Sequence, residues 1–393
     1  MKNTTDLDGS GLATRCIHAG ELANNAGAPH TPLYNTTTFA FPSTADLLEV
    51  VDGHRPGSLY TRYGSNPTIQ SVETKLAAIE GAEAALLFAS GMAAECALFI
   101  AHGQDGIVCL GDAYGGTLSL LAQSLPKLGR ATTFLSGTDF SELKAHLAAG
   151  ARLVFFETPS NPNLEVLDIA SIATIAHAHG ALVAVDSTFA SPVNQQPLRH
   201  NADFVVHSAT KYLGGHSDLT AGAVMGSRAL LTPLRAWRSD LGQTPAPETC
   251  ALLARSLRTL VVRIERHNAN AQTLAEYLDG HPRIRHVRYP GLTHHPSHAI
   301  AKRQMTGFGG MIALEIDGDY ADTVGVMDRL MLFARAPSLG GVESLATQPV
   351  TTTHRGLDQA ERTRRRITDS SIRLSVGLED AADLMADLDQ ALT

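Results

Sequence analysis

A lysine that follows two hydroxyl-bearing residues closely is the first candidate for chemistry. Residues 205–216 read Val-Val-His-Ser-Ala-Thr-Lys-Tyr-Leu-Gly-Gly-His, so Lys211 comes shortly after an apolar run that ends at Val206. In open α/β sheets, ligands bind beyond the carboxyl ends of the strands. There the amine of Lys211 could form a Schiff base with a carbonyl cofactor, and Ser208 and Thr210 could bind phosphate oxygens. On these residues alone, an ordinary loop lysine is an equally good interpretation.

Asp186 is the second candidate. It directly follows the apolar run 181–185, so its carboxylate is expected at the same edge of the sheet as Lys211. A carboxylate facing the ring nitrogen of a pyridinium cofactor would make that ring an electron sink. A simple acidic partner for the lysine is the alternative, and the residues do not decide between the two.

Two further turns follow earlier apolar runs. Ser90, Gly91 and Met92 come after the run 84–88 and open a helical pattern. Backbone N–H groups at a helix N-terminus can bind an anion, although an ordinary N-cap explains the serine equally well. Tyr114 precedes two glycines and could stack on a flat ring, although a plain turn is the commoner interpretation.

Composition narrows the class of protein. The 393 residues are 44% hydrophobic and 18% charged, with a formal net charge of −8. The length suggests two or three cores, and the acidic balance argues against a nucleic-acid partner. We find no apolar run of membrane-spanning length and no signal peptide at the N-terminus. The four cysteines have no CxxC spacing, which argues against disulfide and zinc scaffolds and favours the cytoplasm.

The chain divides into three predicted parts. Residues 1–62 are mostly irregular and are typical of an arm; residues 63–247 would form a large α/β domain, and residues 248–393 a smaller α+β domain joined by one long helix over 247–278. In the second part short apolar runs alternate with helical patterns, which predicts a parallel sheet covered on both faces. The predicted strands are 84–88, 107–110, 132–135, 153–156, 182–185 and 204–206, and the predicted helices are 92–101, 117–125, 140–148 and 169–179.

Eight motifs together resemble the cystathionine/methionine metabolism family of fold-type-I pyridoxal-phosphate (PLP) enzymes, which includes cystathionine γ-synthase, cystathionine γ-lyase and methionine γ-lyase. They occur in the family's order, and the resemblance runs from about Thr14 to residue 393. The motifs are Tyr60–Thr68, Ser90–Met92, Tyr114–Thr117, Glu157–Pro162, Asp186–Thr188, Ser208–Lys211, Ser338–Ser344 and Arg373–Gly377. The resemblance implies an α/β fold with a mostly parallel seven-stranded sheet in the large domain and a smaller C-terminal α+β domain.

The same resemblance implies roles around PLP. Lys211 would join the cofactor's aldehyde covalently and later move protons between substrate carbons. Asp186 would pair with the pyridine nitrogen, and Tyr114 would stack on the ring and act as acid or base at the γ substituent. The residues implied to bind the cofactor's phosphate within the same chain are Ser90, Gly91, Met92, Ser208 and Thr210.

Other implied roles concern the substrate and the assembly. Arg373, with Ser338 and Asn161, would hold the substrate carboxylate, to which a planar guanidinium offers a bidentate grip. Tyr60 and Arg62 would reach the phosphate of the neighbouring subunit's cofactor. The family assembles as a homotetramer of two catalytic dimers, which would explain an arm-like N-terminus.

The implied activity is γ-elimination on a sulfur amino acid, giving 2-oxobutanoate, ammonia and a thiol. The alternative is γ-replacement, in which cysteine or another thiol condenses with an O-acylhomoserine. Gly116 stands where methionine γ-lyases typically carry cysteine, whereas 215–222 is closer to methionine γ-lyase. Asp240 lies in a region where the family often has Asn or Lys, so the group that binds the distal end of the substrate stays open.

Three features are interpreted as structural. The stretch 294–298 (His-His-Pro-Ser-His) is predicted to be a surface loop and not a metal site, and no metal is expected. The arginines at 362 and 364–366 are predicted to form a solvated helix face. The cysteines are predicted to be inert small apolar side chains.

Overall fold

The computed structural model describes residues 7, 9–24, 26–137, 140–352, 355–356 and 358–393. The strands are β1 (Ala84–Phe88), β2 (Ile107–Leu110), β3 (Thr132–Leu135), β4 (Leu153–Glu157), β5 (Leu182–Asp186), β6 (Phe204–His207), β7 (Gly222–Gly226), β8 (Ile284–Arg288), β9 (Met311–Ile316), β10 (Ala334–Arg335), β11 (Leu345–Thr347) and β12 (Ser371–Ser375). The α-helices are Leu12–His18, Thr44–Val51, Pro67–Glu80, Gly91–His102, Gly115–Ser119, Phe140–Ala148, Ile169–Ala178, Ser191–Asn194, Arg228–Asp240, Pro247–Leu257, Leu260–Asp279, His298–Gln304, Tyr320–Arg329, Gln359–Arg364 and Ala381–Leu392.

Within these ranges, seven strands form the large sheet in the order β1-β7-β6-β5-β4-β2-β3. Only β7 among them runs against its neighbours, so the expectation of a mostly parallel sheet is confirmed. Strands β2, β4 and β6 are fully buried, as expected for a sheet with helices on both faces. The sequence pattern did not single out β7, because its five residues begin and end with glycine.

A second sheet of five described strands has the order β10-β11-β12-β9-β8. Its apolar face packs on the helices Leu260–Asp279, Tyr320–Arg329 and Ala381–Leu392. β10 and β11, of two and three residues, escaped prediction because such short strands show no clear alternation. This sheet matters for the site because β12 carries Arg373.

The single long helix expected over 247–278 is wrong. Two helices, Pro247–Leu257 and Leu260–Asp279, meet at Arg258 and Thr259. The amide of Thr259 donates to the Ser256 carbonyl at 3.2 Å, three residues back, which tightens and ends the first helix. Buried Arg263 also donates to the Ser256 carbonyl at 3.0 Å. The apolar periodicity of the sequence continues across this break, so the periodicity could not reveal where the first helix ends.

The N-terminal segment lies on the large domain through a few buried contacts. Lys75, buried in the helix Pro67–Glu80, donates to the Cys16 carbonyl at 3.0 Å and pairs with Glu21 at 3.2 Å. Much of the segment between these anchors and Tyr60 is exposed. Among the described helices we find none whose length and hydropathy would suit a membrane span. The boundaries at 62 and 247 stay predictions.

Candidate active site

The carboxyl ends of three neighbouring parallel strands converge on one cavity. Glu157 at the end of β4 pairs in register with Asp186 at the end of β5, and Ser208 follows β6 directly. The cavity has a volume of about 360 Å³. The residues predicted from the sequence that line it are Ser90, Gly91, Met92, Tyr114, Asn161, Asp186, Ser208, Thr210, Lys211, Ser338 and Arg373. The structure therefore brings together residues that lie nearly 300 positions apart in the chain.

Lys211 is the only lysine among the described residues that line the cavity. Its Nζ donates to Ser338 Oγ at 2.8 Å. Burial, and in second place the charge of Arg373, lower the pKa of Lys211 to about 8. Ser338 has φ of +111°, a strained conformation for a side chain of this kind. The amine is thus less firmly protonated than an exposed lysine, as a nucleophile toward an aldehyde requires.

The turn at Ser90 forms an anion seat. Ser90 caps the helix Gly91–His102, with its Oγ accepting from the Ala93 amide at 3.1 Å. The amides of Gly91 and Met92 precede the first bonds inside that helix and carry its positive end. A Cβ at Gly91 would lie 2.9 Å from Ser208 Cβ, so the glycine permits the close approach of the two turns. This cradle fits a phosphate group.

The hydroxyl-bearing residues beside that seat are held by specific bonds. The Ser208 amide donates to Thr188 Oγ1 at 2.8 Å. Thr210 Oγ1 accepts from the Ala221 amide at 3.0 Å and donates to the Ala221 carbonyl at 3.2 Å. The turn that carries Lys211 is thereby tied to β7 and to the loop after β5.

Asp186 lies at the base of the cavity next to two further carboxyl groups. Its Oδ1 accepts from the Thr188 amide at 2.8 Å. Burial raises the pKa of Asp186, while the bonds from Thr188 and the nearby His207 act in the opposite direction. Oxygens of Glu95, Glu157 and Asp186 all lie within 4.8 Å of one another. A carboxylate such as that of Asp186 would suit the ring nitrogen of a cofactor, because that nitrogen can carry a proton.

Glu95 and Glu157 are site residues that were not predicted from the sequence. Each residue has a feature that indicates a role in the site. Glu157 ends a buried strand and pairs in register with Asp186. Glu95 is the single acid in the otherwise mostly apolar helix Gly91–His102. A charged residue type in such a helix face is rarely buried without a partner.

Tyr114 stands at the cavity mouth with 47% of its surface exposed. Its amide donates to Glu157 Oε1 at 2.5 Å, which fixes the backbone of the turn. A Cβ at Gly116 would come within 2.5 Å of Tyr114 Cε1. The glycine therefore leaves room for the tyrosine ring in this orientation.

Arg373 forms the wall of the cavity opposite the sheet. Its Nη1 donates to Asn161 Oδ1 at 2.8 Å and its Nη2 to the Ser338 carbonyl at 3.1 Å. It is 4% exposed, and burial lowers its pKa to about 10. Its Nε is buried without a hydrogen-bond partner within the described part of the chain. An anion such as a carboxylate would match this unpaired charge.

Tyr60 and Arg62 do not line the cavity of their own chain. The guanidinium of Arg62 lies over the Tyr63 ring, 4.9 Å from its centroid, and Nη1 donates to the Ser239 carbonyl at 2.9 Å. Arg62 is exposed on the surface. Their role at a neighbouring subunit stays a prediction.

One structural expectation needs correction. Arg365 is not on a solvated helix face: it is 6% exposed, and Nη1 donates to Asp112 Oδ1 at 2.8 Å. The segment that carries Arg365 returns to the loop after β2, which sequence spacing could not show.

The stretch 294–298 contains one buried histidine. His295 is 6% exposed, and burial lowers its pKa to about 4.

The cysteines match their predicted character as small apolar side chains. Cys16, Cys109 and Cys250 are buried, Cys96 is half-buried, and all four are free thiols. Burial raises the pKa of each thiol, which disfavours the reactive thiolate.

These residues fit the cofactor that the sequence resemblance implies. PLP has an aldehyde for an amine, a ring nitrogen for a carboxylate and a phosphate for a helix N-terminus. The cavity offers Lys211, Asp186 and the Ser90 turn for these three groups. When bound, the cofactor supplies an electron sink for breaking bonds at an amino acid's α carbon.

Comparisons with known proteins agree with this geometry. L-methionine gamma-lyase of Pseudomonas deceptionensis is 42% identical over 388 residues, covering 97% of each chain. Chloroplastic cystathionine gamma-synthase 1 of Arabidopsis thaliana is also 42% identical, covering 96% of this chain and 68% of its own. The crystal structure of cystathionine gamma synthase from Xanthomonas oryzae pv. oryzae in complex with aminoacrylate and cysteine is 39% identical, covers 97% of both chains and has a TM-score of 0.91. Residues 13–393 match the family described as Cys/Met metabolism PLP-dependent enzyme, so this protein is a PLP-dependent enzyme that belongs to that family.

Proposed function

We propose that this enzyme catalyses γ-elimination on a sulfur amino acid, of the methionine γ-lyase or cystathionine γ-lyase type, releasing 2-oxobutanoate, ammonia and a thiol. One observation carries the γ-carbon chemistry of this proposal. The Lys211 amine, with a pKa lowered to about 8, lies 2.8 Å from Ser338 Oγ, in the cavity that Arg373 also lines with an Nε that has no partner among the described residues. Removal of a γ substituent needs protons taken from two adjacent carbons. A flexible amine next to the carboxylate site is suited to serve both.

Each proposed role follows from a position in the cavity. Arg373 and Asn161 would bind the substrate carboxylate, which orients the α C–H bond toward Lys211. Lys211 would take the α proton and then move protons at the β carbon. Tyr114, at the open mouth, would donate a proton to the departing thiolate. Asp186 would hold the ring nitrogen, and the Ser90 turn, Ser208 and Thr210 would hold the phosphate.

γ-Replacement is the second candidate, because it uses the same residues and its relatives are equally similar. A cystathionine gamma-synthase is 42% identical to this chain, as is an L-methionine gamma-lyase. Gly116, which leaves room for the Tyr114 ring, stands where methionine γ-lyases typically carry cysteine. The two reactions differ in whether water or a thiol completes the turnover.

The deciding experiment is steady-state turnover on a panel of methionine, cystathionine, homocysteine, cysteine and O-acylhomoserines. We expect release of 2-oxobutanoate and a thiol from methionine or cystathionine, at a higher kcat/KM than thioether formation from O-acylhomoserine and cysteine. The reverse order would overturn the proposal in favour of replacement. The Lys211→Ala variant is the control for both reactions and should be inactive in both.

We also propose a homotetramer of two catalytic dimers in the cytoplasm, with Tyr60 and Arg62 reaching the neighbouring subunit's cofactor phosphate. The exposure of Arg62 and of apolar Leu33 and Leu48 on the N-terminal segment supports an assembly. If the site is shared, refolding a mixture of the inactive variants Arg62→Ala and Lys211→Ala will restore activity through hybrid sites. No recovery in a mixed oligomer verified by light scattering would contradict a shared site.

A further inference from the structure

Glu95 is a buried acid for which the proposed reaction has no use. It lies in the helix Gly91–His102, about one turn after the anion seat, and is 3% exposed. Its buried neighbours on this helix include Ala94, Leu98 and Phe99. A carboxylate in such a setting is costly unless it is paired or has taken up a proton.

Among the described residues, the groups that act on Glu95 are neutral or acidic. Thr117 Oγ1 donates to its Oε2 at 2.7 Å, and a carboxyl oxygen of Asp186 lies within 4.8 Å. Glu157 is the other charged group facing it, with carboxyl oxygens of all three acids within 4.8 Å of one another. His207, the basic group that acts on Asp186, is itself paired with Glu80 at 2.5 Å. Burial and the two neighbouring carboxylates raise the pKa of Glu95 well above its usual range.

A hydrogen bond between two carboxyl groups needs a proton on one of them. Asp186 already accepts from the Thr188 amide at 2.8 Å, and the charge of His207 acts on it, both of which favour its charged form. Glu95 has no such support, because the hydrogen bond that it accepts comes from the neutral hydroxyl of Thr117. The proton therefore belongs on Glu95, with the charge on Asp186.

We propose that Glu95 is a neutral carboxylic acid that donates its proton to Asp186 as a hydrogen bond, and is thereby a positioning residue for the Asp186 carboxylate. This rests on the proposed role of Asp186 at the ring nitrogen. The bond fixes the direction in which Asp186 presents its remaining lone pairs, and it leaves one negative charge, not two, on the Glu95–Asp186 pair. Thr117 holds the acid in place by donating to its other oxygen.

The first test is infrared spectroscopy of the resting enzyme without substrate, which reads protonation directly. A protonated carboxyl group has a C=O stretch well separated from the carboxylate bands. We expect Glu95→Gln to remove one such band, and the matched surface variant Glu142→Gln to leave it unchanged. If Glu95→Gln removes no protonated-carboxyl band, Glu95 is ionised and the proposal is overturned.

The second test is the dissociation constant of PLP, measured by reconstituting the apo-enzyme. Gln keeps both bonds, since its amide can donate to Asp186 and accept from Thr117, so we expect affinity within about 3-fold of wild type. Glu95→Leu keeps the side-chain volume and loses the hydrogen-bond donor. We therefore expect the affinity for PLP to weaken about 10-fold or more, the size of one charge-assisted hydrogen bond. Thermal melts of each apo-enzyme report folding.

The outcomes separate the roles of Glu95 and of the reaction. If Gln weakens PLP as much as Leu does, the loss of a negative charge matters and the proposal fails. If Leu binds PLP as tightly as wild type, Glu95 positions nothing. Should the Leu variant not fold, the infrared band and the Gln affinity still decide. Both readouts use enzyme without substrate, so a failed γ-elimination assay leaves them unaffected.

Discussion

The lowered pKa of Lys211 leads to a pH-dependent rate of cofactor capture. Burial beside Arg373 lowers the pKa from 10.5 to about 8, so the neutral amine becomes abundant as pH rises through 8. Near neutral pH its population exceeds that of an unperturbed lysine by about 300-fold, equivalent to about 3 kcal/mol. Only the neutral amine attacks an aldehyde. The rate at which apo-enzyme combines with PLP should therefore rise about tenfold per pH unit and level off near pH 8.

Stopped-flow measurement of the visible absorbance that forms on mixing apo-enzyme with PLP follows this step. Arg373→Gln removes the neighbouring positive charge, so its midpoint should move to higher pH and its rate at neutral pH should fall. Glu142→Gln, an exposed change far from any role in the site, serves as the matched control. A wild-type midpoint near 10.5, or an Arg373→Gln profile identical to wild type, would refute the reasoning.

Three further predictions concern single contacts. Arg373→Lys keeps the charge and loses the planar fork, so KM should rise about 10- to 100-fold with a smaller change in kcat in steady-state assays; an unchanged KM would exclude Arg373 from carboxylate binding. Gly91→Ala places a Cβ 2.9 Å from Ser208 Cβ, so apo-enzyme should bind PLP about tenfold more weakly by equilibrium titration, and equal binding would argue against the seat. Arg365→Met leaves the mostly buried Asp112 without its ion-pair partner, which should lower the free energy of unfolding by about 3 kcal/mol in urea, with partial recovery on adding Asp112→Asn; no loss would mean that the ion pair is unimportant.

The sequence predicted the large sheet well because its strands are buried on both faces. Runs such as Ala84–Phe88 and Ile107–Leu110 are continuous, apolar and bounded by turn residues, so their ends agree with the structure. The smaller sheet was predicted only as part of an α+β domain over residues 248–393. β10 and β11 are set by tertiary pairing with β12 and not by any local period.

In the candidate site, too, some residues could be predicted from sequence pattern and topology and others could not. Lys211, Asp186 and Ser90 follow strands of one parallel sheet, so topology alone predicts that they meet at one edge. Arg373 lies on β12 of the other sheet and Ser338 in the loop between β10 and β11, and only the family resemblance indicated them. Contacts that depend on side-chain direction across the fold had no sequence signal strong enough to assign, as with the Thr117 bond to Glu95 or the return of Arg365 to Asp112.

The most direct test of the account is to reduce the purified holoenzyme with borohydride, digest it and locate the modified peptide by mass spectrometry. The account predicts that a phosphopyridoxyl group is attached to the side chain at position 211 and that the visible absorbance disappears with it. Attachment to a different lysine, or an unmodified position 211 in enzyme that still turns over substrate, would contradict it.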